Sequence, residues 1–187
     1  MGLLAKWSGL GLMTLVMGLL PIDAISARDL TSAERTSLAQ TVERFNGLMN
    51  TQDWPAMVET TIPPRIMDHM LARSGVTKEQ MLQSIAALMA ETMAKVTIAS
   101  YAMDIAKGDE KELADGTPYV LVPTETVIKV EQGDKIAVRS HTLVMIDAEK
   151  WYLLRISDPK QVNMLVEVYP EYKGIEFPGD KTEILKE

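Results

Sequence analysis

After residue 30, apolar residues recur at spacings of three and four over the first half of the chain, which is typical of helices that bury one face. Thr31 followed by Glu34, and Thr77 followed by Gln80, are capping-box signatures. Asp53 before Trp54-Pro55, and Pro64 itself, mark two further helix starts. The predicted helices span residues 32–50, 54–60, 64–74 and 78–95. The buried stripe of the fourth helix is predicted to be Met81, Ile85, Leu88, Met89, Thr92 and Val96.

Beyond Val96 the apolar period changes to two, and β-branched residues dominate. The connections are short enough for antiparallel neighbours. Asp158-Pro159 then predicts a last helix, which Pro170 and Gly174 end. The predicted strands span roughly residues 96–106, 118–130, 135–146 and 150–157, and residues 175–187 are predicted to be an extended tail.

The two later hairpins predict which side chains share a face of the sheet. A turn at Gln132-Gly133 places Ser140 opposite Glu125, and a loop at residues 147–150 places Arg155 opposite Thr142. Glu125 and Arg155 then either form an ion pair, or Arg155 receives a ligand carboxylate. The candidate pocket residues on this face are Glu125, Ser140, Thr142, Arg155, Trp151 and Tyr119.

Both faces of the predicted sheet are largely apolar, so both need a cover. The helices can cover one face. A partner or an enclosed cavity is expected on the other.

Helices followed by a long antiparallel sheet that closes with Asp147-Ala148-Glu149-Lys150-Trp151-Tyr152-Leu153-Leu154 resemble the nuclear transport factor two-like superfamily, which includes ketosteroid-isomerase-like proteins. The resemblance covers about residues 31–157. It implies a curved sheet that wraps a helix into a cone, with a ligand pocket at the open end and a dimer through the outer sheet face. The short strand usual among the helices would be Val58–Ile62, and the helix after Asp158 is additional.

The N-terminus has the order of a secretory signal peptide. Lys6 supplies the positive charge, Leu10 to Leu20 is apolar, and Pro21 precedes a run of small residues. We predict cleavage after Ala27, with Ser26 as the competing site, and a periplasmic or secreted protein. An uncleaved membrane anchor is the alternative, although the apolar stretch is shorter than the roughly 20 residues of a span.

The composition of the chain excludes several classes of binding partner and of chemical site. The net charge is −7, and removal of residues 1–27 leaves 18 − 25 = −7, so an acidic surface argues against nucleic acid. No membrane contact is expected after signal cleavage. The absence of cysteine excludes disulfides, thiol nucleophiles and cysteine-based metal sites. Phosphate-loop, dinucleotide, nucleophile-elbow and HExxH motifs are absent, so we expect no cofactor and no catalytic residue.

Two alternative functions, an acid–base enzyme and a copper-binding protein, have less support from the sequence. Tyr101 and Asp104 could serve an acid–base isomerase or dehydratase, but strand alternation places them on opposite faces. His69 and His141 are the two histidines, one on a helix and one in the sheet. Met67-Asp68-His69-Met70 has donors that suit copper, although the same spacing serves core packing. We therefore expect no metal site.

The sequence predicts an α+β fold, with N-terminal helices on a curved, cone-like antiparallel sheet of about four strands and an extra C-terminal helix. The predicted organisation is a signal peptide over residues 1–27, one domain over 28–174 and a tail over 175–187. The leading hypothesis is an exported, non-enzymatic domain that binds a small apolar or amphipathic molecule, or a protein partner, in the cone. A homodimer through a sheet face is part of that hypothesis.

Overall fold

The computed structural model describes residues 29–129 and 134–185. Within these ranges the chain is α+β, with a curved, cone-like antiparallel sheet, as the sequence predicts. The predicted export segment and the Gln132-Gly133 turn lie outside the described residues. No helix in the described part of the chain is long and apolar enough to cross a membrane.

The helix starts follow from local capping. The side chains of Thr31 and Thr77 each accept a hydrogen bond from the backbone three residues on, and the predicted capping boxes form. Asp53 and Asp158 also cap their helices through their side chains. The helices are α1 (Ser32–Thr51), α2 (Trp54–Thr61), α3 (Pro64–Ser74), α4 (Lys78–Ala94) and α5 (Pro159–Val168).

Two helical details differ from the prediction. Helix α4 contacts α2 and α3 rather than lying directly on the sheet. Its predicted stripe is therefore partly wrong, because Leu88 is 64% exposed while Ala86 is buried. The segment Val58–Ile62, proposed as a short strand, forms the end of α2 and its C-cap.

The sheet has six strands in the described residues. The central hairpin is β3 with β4, and each long strand is flanked along one edge by two shorter strands end to end. The sequence does not predict β2 and β6, which lie at the two edges. The strands are β1 (Thr97–Met103), β2 (Asp109–Glu112), β3 (Pro118–Lys129), β4 (Lys135–Asp147), β5 (Lys150–Arg155) and β6 (Lys181–Leu185).

The register of the second hairpin is confirmed, whereas that of the first is wrong by one residue. Arg155 pairs with Thr142, and Trp151 with Ile146, as predicted. Ser140, however, pairs with Thr124 rather than with Glu125. A shift of one residue moves every side chain of one strand to the opposite face relative to the other strand.

The corrected register gives the sheet two apolar faces with different covers. One face, which we call the concave face because it borders a cavity, has residues of α1 and α2 packed against β3, β4 and β5. This core contains Leu38, Val42, Phe45, Met57, Val120, Val122, Val144, Trp151 and Leu153. On the opposite face, α3, α5 and a short turn at Pro170–Tyr172 form the cover. That core contains Ile66, Tyr119, Leu121, Leu143, Met145, Tyr152, Leu154, Leu165, Tyr169 and Tyr172.

The chain itself therefore covers both faces at the β2 and β5 end of the sheet. Each fully buried aliphatic or aromatic side chain contributes about 1.5–3 kcal/mol relative to its exposed state. The predicted extended tail contributes to this arrangement, since Ile175 and Phe177 pack against the second core and β6 joins β4.

Candidate functional site

A cavity of about 510 Å³ lies between the concave sheet face and the helices. This volume falls within the range of about 300–1,000 Å³ that is typical of small-molecule sites. All five helices and strands β1, β3, β4 and β5 contribute to its wall or flank it. Much of the wall is methionine, namely Met49, Met57, Met70, Met89, Met93, Met103 and Met164. Flexible thioether chains of this kind adapt to ligands of different shape.

The sheet supplies the polar part of this cavity. Thr124 and Thr126 on β3 face Ser140 and Thr142 on β4, because all four occupy even positions in the paired register. Thr124 Oγ1 lies 3.2 Å from the Val122 carbonyl oxygen and 2.9 Å from Thr142 Oγ1. A carbonyl only accepts, so Thr124 donates to Val122 and accepts from Thr142.

Ser140 lies beside this pair. Its side chain is buried, and it makes no hydrogen bond to any other side chain in the described residues. A hydroxyl in that position has a donor and lone pairs available to a bound molecule.

Arg155 and Tyr101 line the same cavity from the end of β5 and from β1. Arg155 Nη2 donates to Asp180 Oδ2 over 2.6 Å, and half of its side chain is exposed. Burial raises the pKa of the Tyr101 hydroxyl well above its ordinary value, and the nearby Arg155 charge partly offsets that rise. Tyr101 is therefore a neutral hydrogen-bond donor at neutral pH.

Three of the predicted site residues come together in this cavity, and three do not. Ser140, Thr142 and Arg155 line it. Trp151 is on the same face but lines a separate polar depression, where its Nε1 donates to Ser37 Oγ over 2.9 Å. Glu125 and Tyr119 lie on the opposite face because of the corrected register.

The predicted ion pair between Glu125 and Arg155 does not form, because each has another partner. Glu125 accepts a hydrogen bond from Arg139 over 2.6 Å, not from Arg155. Tyr119 packs edge-on against Tyr172, with ring centroids 5.5 Å apart. Neither residue contributes to the concave cavity.

Thr124 and Thr126 are cavity residues that are not predicted from the sequence, and Tyr101 is predicted only together with Asp104. The signal for the threonines is that they share one face of β3 with Val122 and Ile128, at every second position. This face meets Ser140 and Thr142 only when the register is right. Asp104 lies at an exposed turn, where its carboxylate is 2.9 Å from Lys107 Nζ. This contact lowers the pKa of Asp104. Tyr101 lines the concave cavity and Asp104 does not.

The lining of the cavity is largely apolar and has few titratable groups. Among the described residues that line it, no side chain is a carboxylate or an imidazole, and Arg155 is the one charged group. Tyr101 holds its proton too strongly to act as a base at neutral pH.

A second, more open cavity of about 450 Å³ lies where α3, α4 and α5 meet. Met70, Met81 and Met164 line it together with His69. The Nε2 atom of His69 is 3.6 Å from Glu167 and 3.3 Å from Arg73. Met67, the first residue of the predicted copper tetrapeptide, is buried in the core instead. The described residues contain no cluster of three histidine, aspartate or glutamate side chains suited to a metal ion.

Comparison with known proteins gives no match to a family model, a curated protein or a solved structure.

Proposed function

We propose that this protein is an exported, non-enzymatic domain that binds a small amphipathic molecule in the concave cavity. The observation that carries the proposal is the cavity itself, with its pliable methionine wall and a polar strip of sheet hydroxyls ending at Arg155. Such a site combines apolar area for affinity with a few polar groups that orient the ligand. The resemblance to the nuclear transport factor two-like superfamily stays a prediction.

A fluorescent apolar probe tests this proposal. N-phenylnaphthylamine is expected to gain fluorescence when it enters the cavity of the purified protein. Met93→Trp places a bulky ring in the wall of the cavity, where it takes up space that the probe would occupy, and is expected to weaken binding about tenfold, which corresponds to about 1.4 kcal/mol.

Leu88→Trp is the matched control, because Leu88 is on the same helix but points to solvent. It is expected to bind the probe like the wild-type protein. Absence of binding to the wild type, or equal binding to both variants, would refute the proposal.

The cluster of Met70, Met81, Met164 and His69 favours a second candidate function, binding of copper(I). Thioether and imidazole donors suit this ion. Titration of the purified protein with copper(I) against a chromophoric chelator tests it. Met81→Leu is expected to lower the affinity, whereas Met67→Leu, at a buried core position, is the control.

A homodimer through a sheet face also stays a prediction. The prediction depends on an uncovered apolar face, and the helices of the chain itself cover both faces at the β2 and β5 end. Sedimentation equilibrium over a range of protein concentrations measures the oligomeric state directly.

A further inference from the structure

The charge of the concave cavity points to the class of its ligand. Of the described residues that line the cavity, Arg155 alone carries a charge. An apolar space with one cation at its edge is complementary to an apolar molecule with one anionic end. The planar guanidinium group suits a carboxylate, which it can bind through two parallel hydrogen bonds.

Arg155 is only partly used in the structure. Its one hydrogen bond within the described residues runs from Nη2 to Asp180 Oδ2, over 2.6 Å. A guanidinium group has five N–H donors, and Asp180 uses one of them. Two carboxylates beside a single positive charge repel each other, so a ligand carboxylate competes with Asp180 for Arg155. Asp180 lies in the C-terminal segment, directly before β6. The carboxylate that occupies Arg155 therefore comes from the chain itself.

Further donors surround the position that a ligand carboxylate would take. Tyr101 lies close enough to Arg155 for the guanidinium charge to act on its hydroxyl, and the buried phenol remains protonated. Ser140 and Thr126 present hydroxyls from the sheet on the same face. These groups are neutral, so they can bind an anion without placing a second charge in the cavity.

We propose that the ligand is an amphipathic monocarboxylate, whose alkyl chain lies among the methionines and whose carboxylate replaces Asp180 on Arg155. This inference rests on the proposed function. It adds that Asp180 is an internal competitor: ligand binding frees it from Arg155 and loosens the segment that leads into β6. A neutral ligand of the same shape leaves the Arg155–Asp180 pair intact.

Decanoate and decanamide test the inference, because they differ in charge and hardly in shape. Calorimetric titration of the wild-type protein is expected to show decanoate binding about tenfold more tightly than decanamide, the scale of one charged hydrogen bond. Arg155→Met is expected to abolish this preference while decanamide still binds. Arg139→Met is the matched control, since Arg139 pairs with two carboxylates on the opposite face of the same sheet.

Asp180→Asn provides an independent test that leaves Arg155 in place. Removal of the competitor is expected to raise the affinity for decanoate roughly two- to fivefold, which corresponds to an exposed ion pair. The affinity for decanamide should not change. Hydrogen exchange of residues 175–185 is expected to increase on decanoate binding and to stay constant with decanamide.

The outcomes separate the two proposals. If both ligands bind equally well and neither variant alters their ratio, the carboxylate inference is overturned while the cavity remains a binding site. If neither ligand nor the fluorescent probe binds, both proposals are overturned. A preference for decanoate that disappears in Arg139→Met and persists in Arg155→Met would place the anion elsewhere and also overturn the inference.

Discussion

Replacement of Tyr172 by phenylalanine is expected to stabilise the protein, whereas the same replacement at Tyr169 is expected to destabilise it. Both rings are about 1% exposed and pack against each other, with centroids 6.3 Å apart. Their hydroxyls differ in hydrogen bonding. The Tyr169 hydroxyl donates to Asp147 Oδ2 over 2.9 Å, while that of Tyr172 is buried without a hydrogen-bond partner among the described residues.

The magnitudes follow from this difference. A buried hydroxyl without a partner costs about 1–3 kcal/mol, so Tyr172→Phe should raise the free energy of unfolding by about 1 kcal/mol or more. Tyr169→Phe removes a hydrogen bond to a carboxylate, and should lower it by about 1.5–3 kcal/mol. For a chain of this size, 1 kcal/mol corresponds to a change of about 2–4 °C in Tm.

Urea unfolding, followed by circular dichroism, measures both variants against the wild type. The midpoint should rise for Tyr172→Phe and fall for Tyr169→Phe, with the denaturant dependence unchanged. The rings remain in both variants, so the contact of Tyr172 with Tyr119, at 5.5 Å, is preserved. A loss of stability in Tyr172→Phe similar to that in Tyr169→Phe would refute the assignment of these two environments.

Three further predictions concern pH and capping. Burial raises the pKa values of Tyr169 and Tyr172, so the folded state keeps protons that the unfolded state loses near pH 10. These two groups should leave the urea midpoint unchanged between neutral pH and about pH 10 and lower it above that, less steeply in Tyr172→Phe. Asp158→Ala removes the capping box of α5 and should lower the free energy of unfolding by about 0.5–2 kcal/mol in the same assay, whereas an unchanged midpoint would contradict the cap. The preference for decanoate over decanamide at Arg155 should disappear as the pH falls through the ligand's own pKa, at about 4–5 as for glutamate, and calorimetry should show no such change for decanamide.

Local signals in the sequence predicted the helices well. A capping box depends on residues three positions apart, so Thr31 and Thr77 identify their helix starts without any tertiary information. The buried side of α4 could not be obtained in the same way. Leu88 has the right spacing for the predicted stripe, but the face that is buried depends on where α2 and α3 lie.

The missed strands are edge strands with polar sequences. Asp109–Glu112 and Lys181–Leu185 lack apolar alternation, and their strand conformation comes from backbone pairing with β3 and β4. Charged residues are common on such edges because they discourage pairing with other chains. Periodicity therefore predicts the interior strands of this sheet and not its borders.

The site was predicted only as far as the register was right. The pairing of Lys129 with Lys135 leaves five residues between them. A two-residue turn at Gln132-Gly133 would instead leave an even number of residues between every pair. The hairpin of β4 with β5 was correct, so Thr142 and Arg155 were placed together. Because the register of the other hairpin was wrong, Glu125 and Tyr119 were predicted as cavity residues, whereas Thr124 and Thr126 were not.

The two long strands, β3 and β4, are covered on both faces at one end and border an open space at the other. Around Leu121 and Leu143 both sides are sealed by the chain, and substitutions there affect folding. Around Thr126 and Ser140 one side borders the hollow, at positions outside both buried apolar clusters. Alterations at distant positions are nearly independent in energy. Substitutions at the hollow end can therefore change the shape and polarity of the hollow while the sealed end preserves the scaffold.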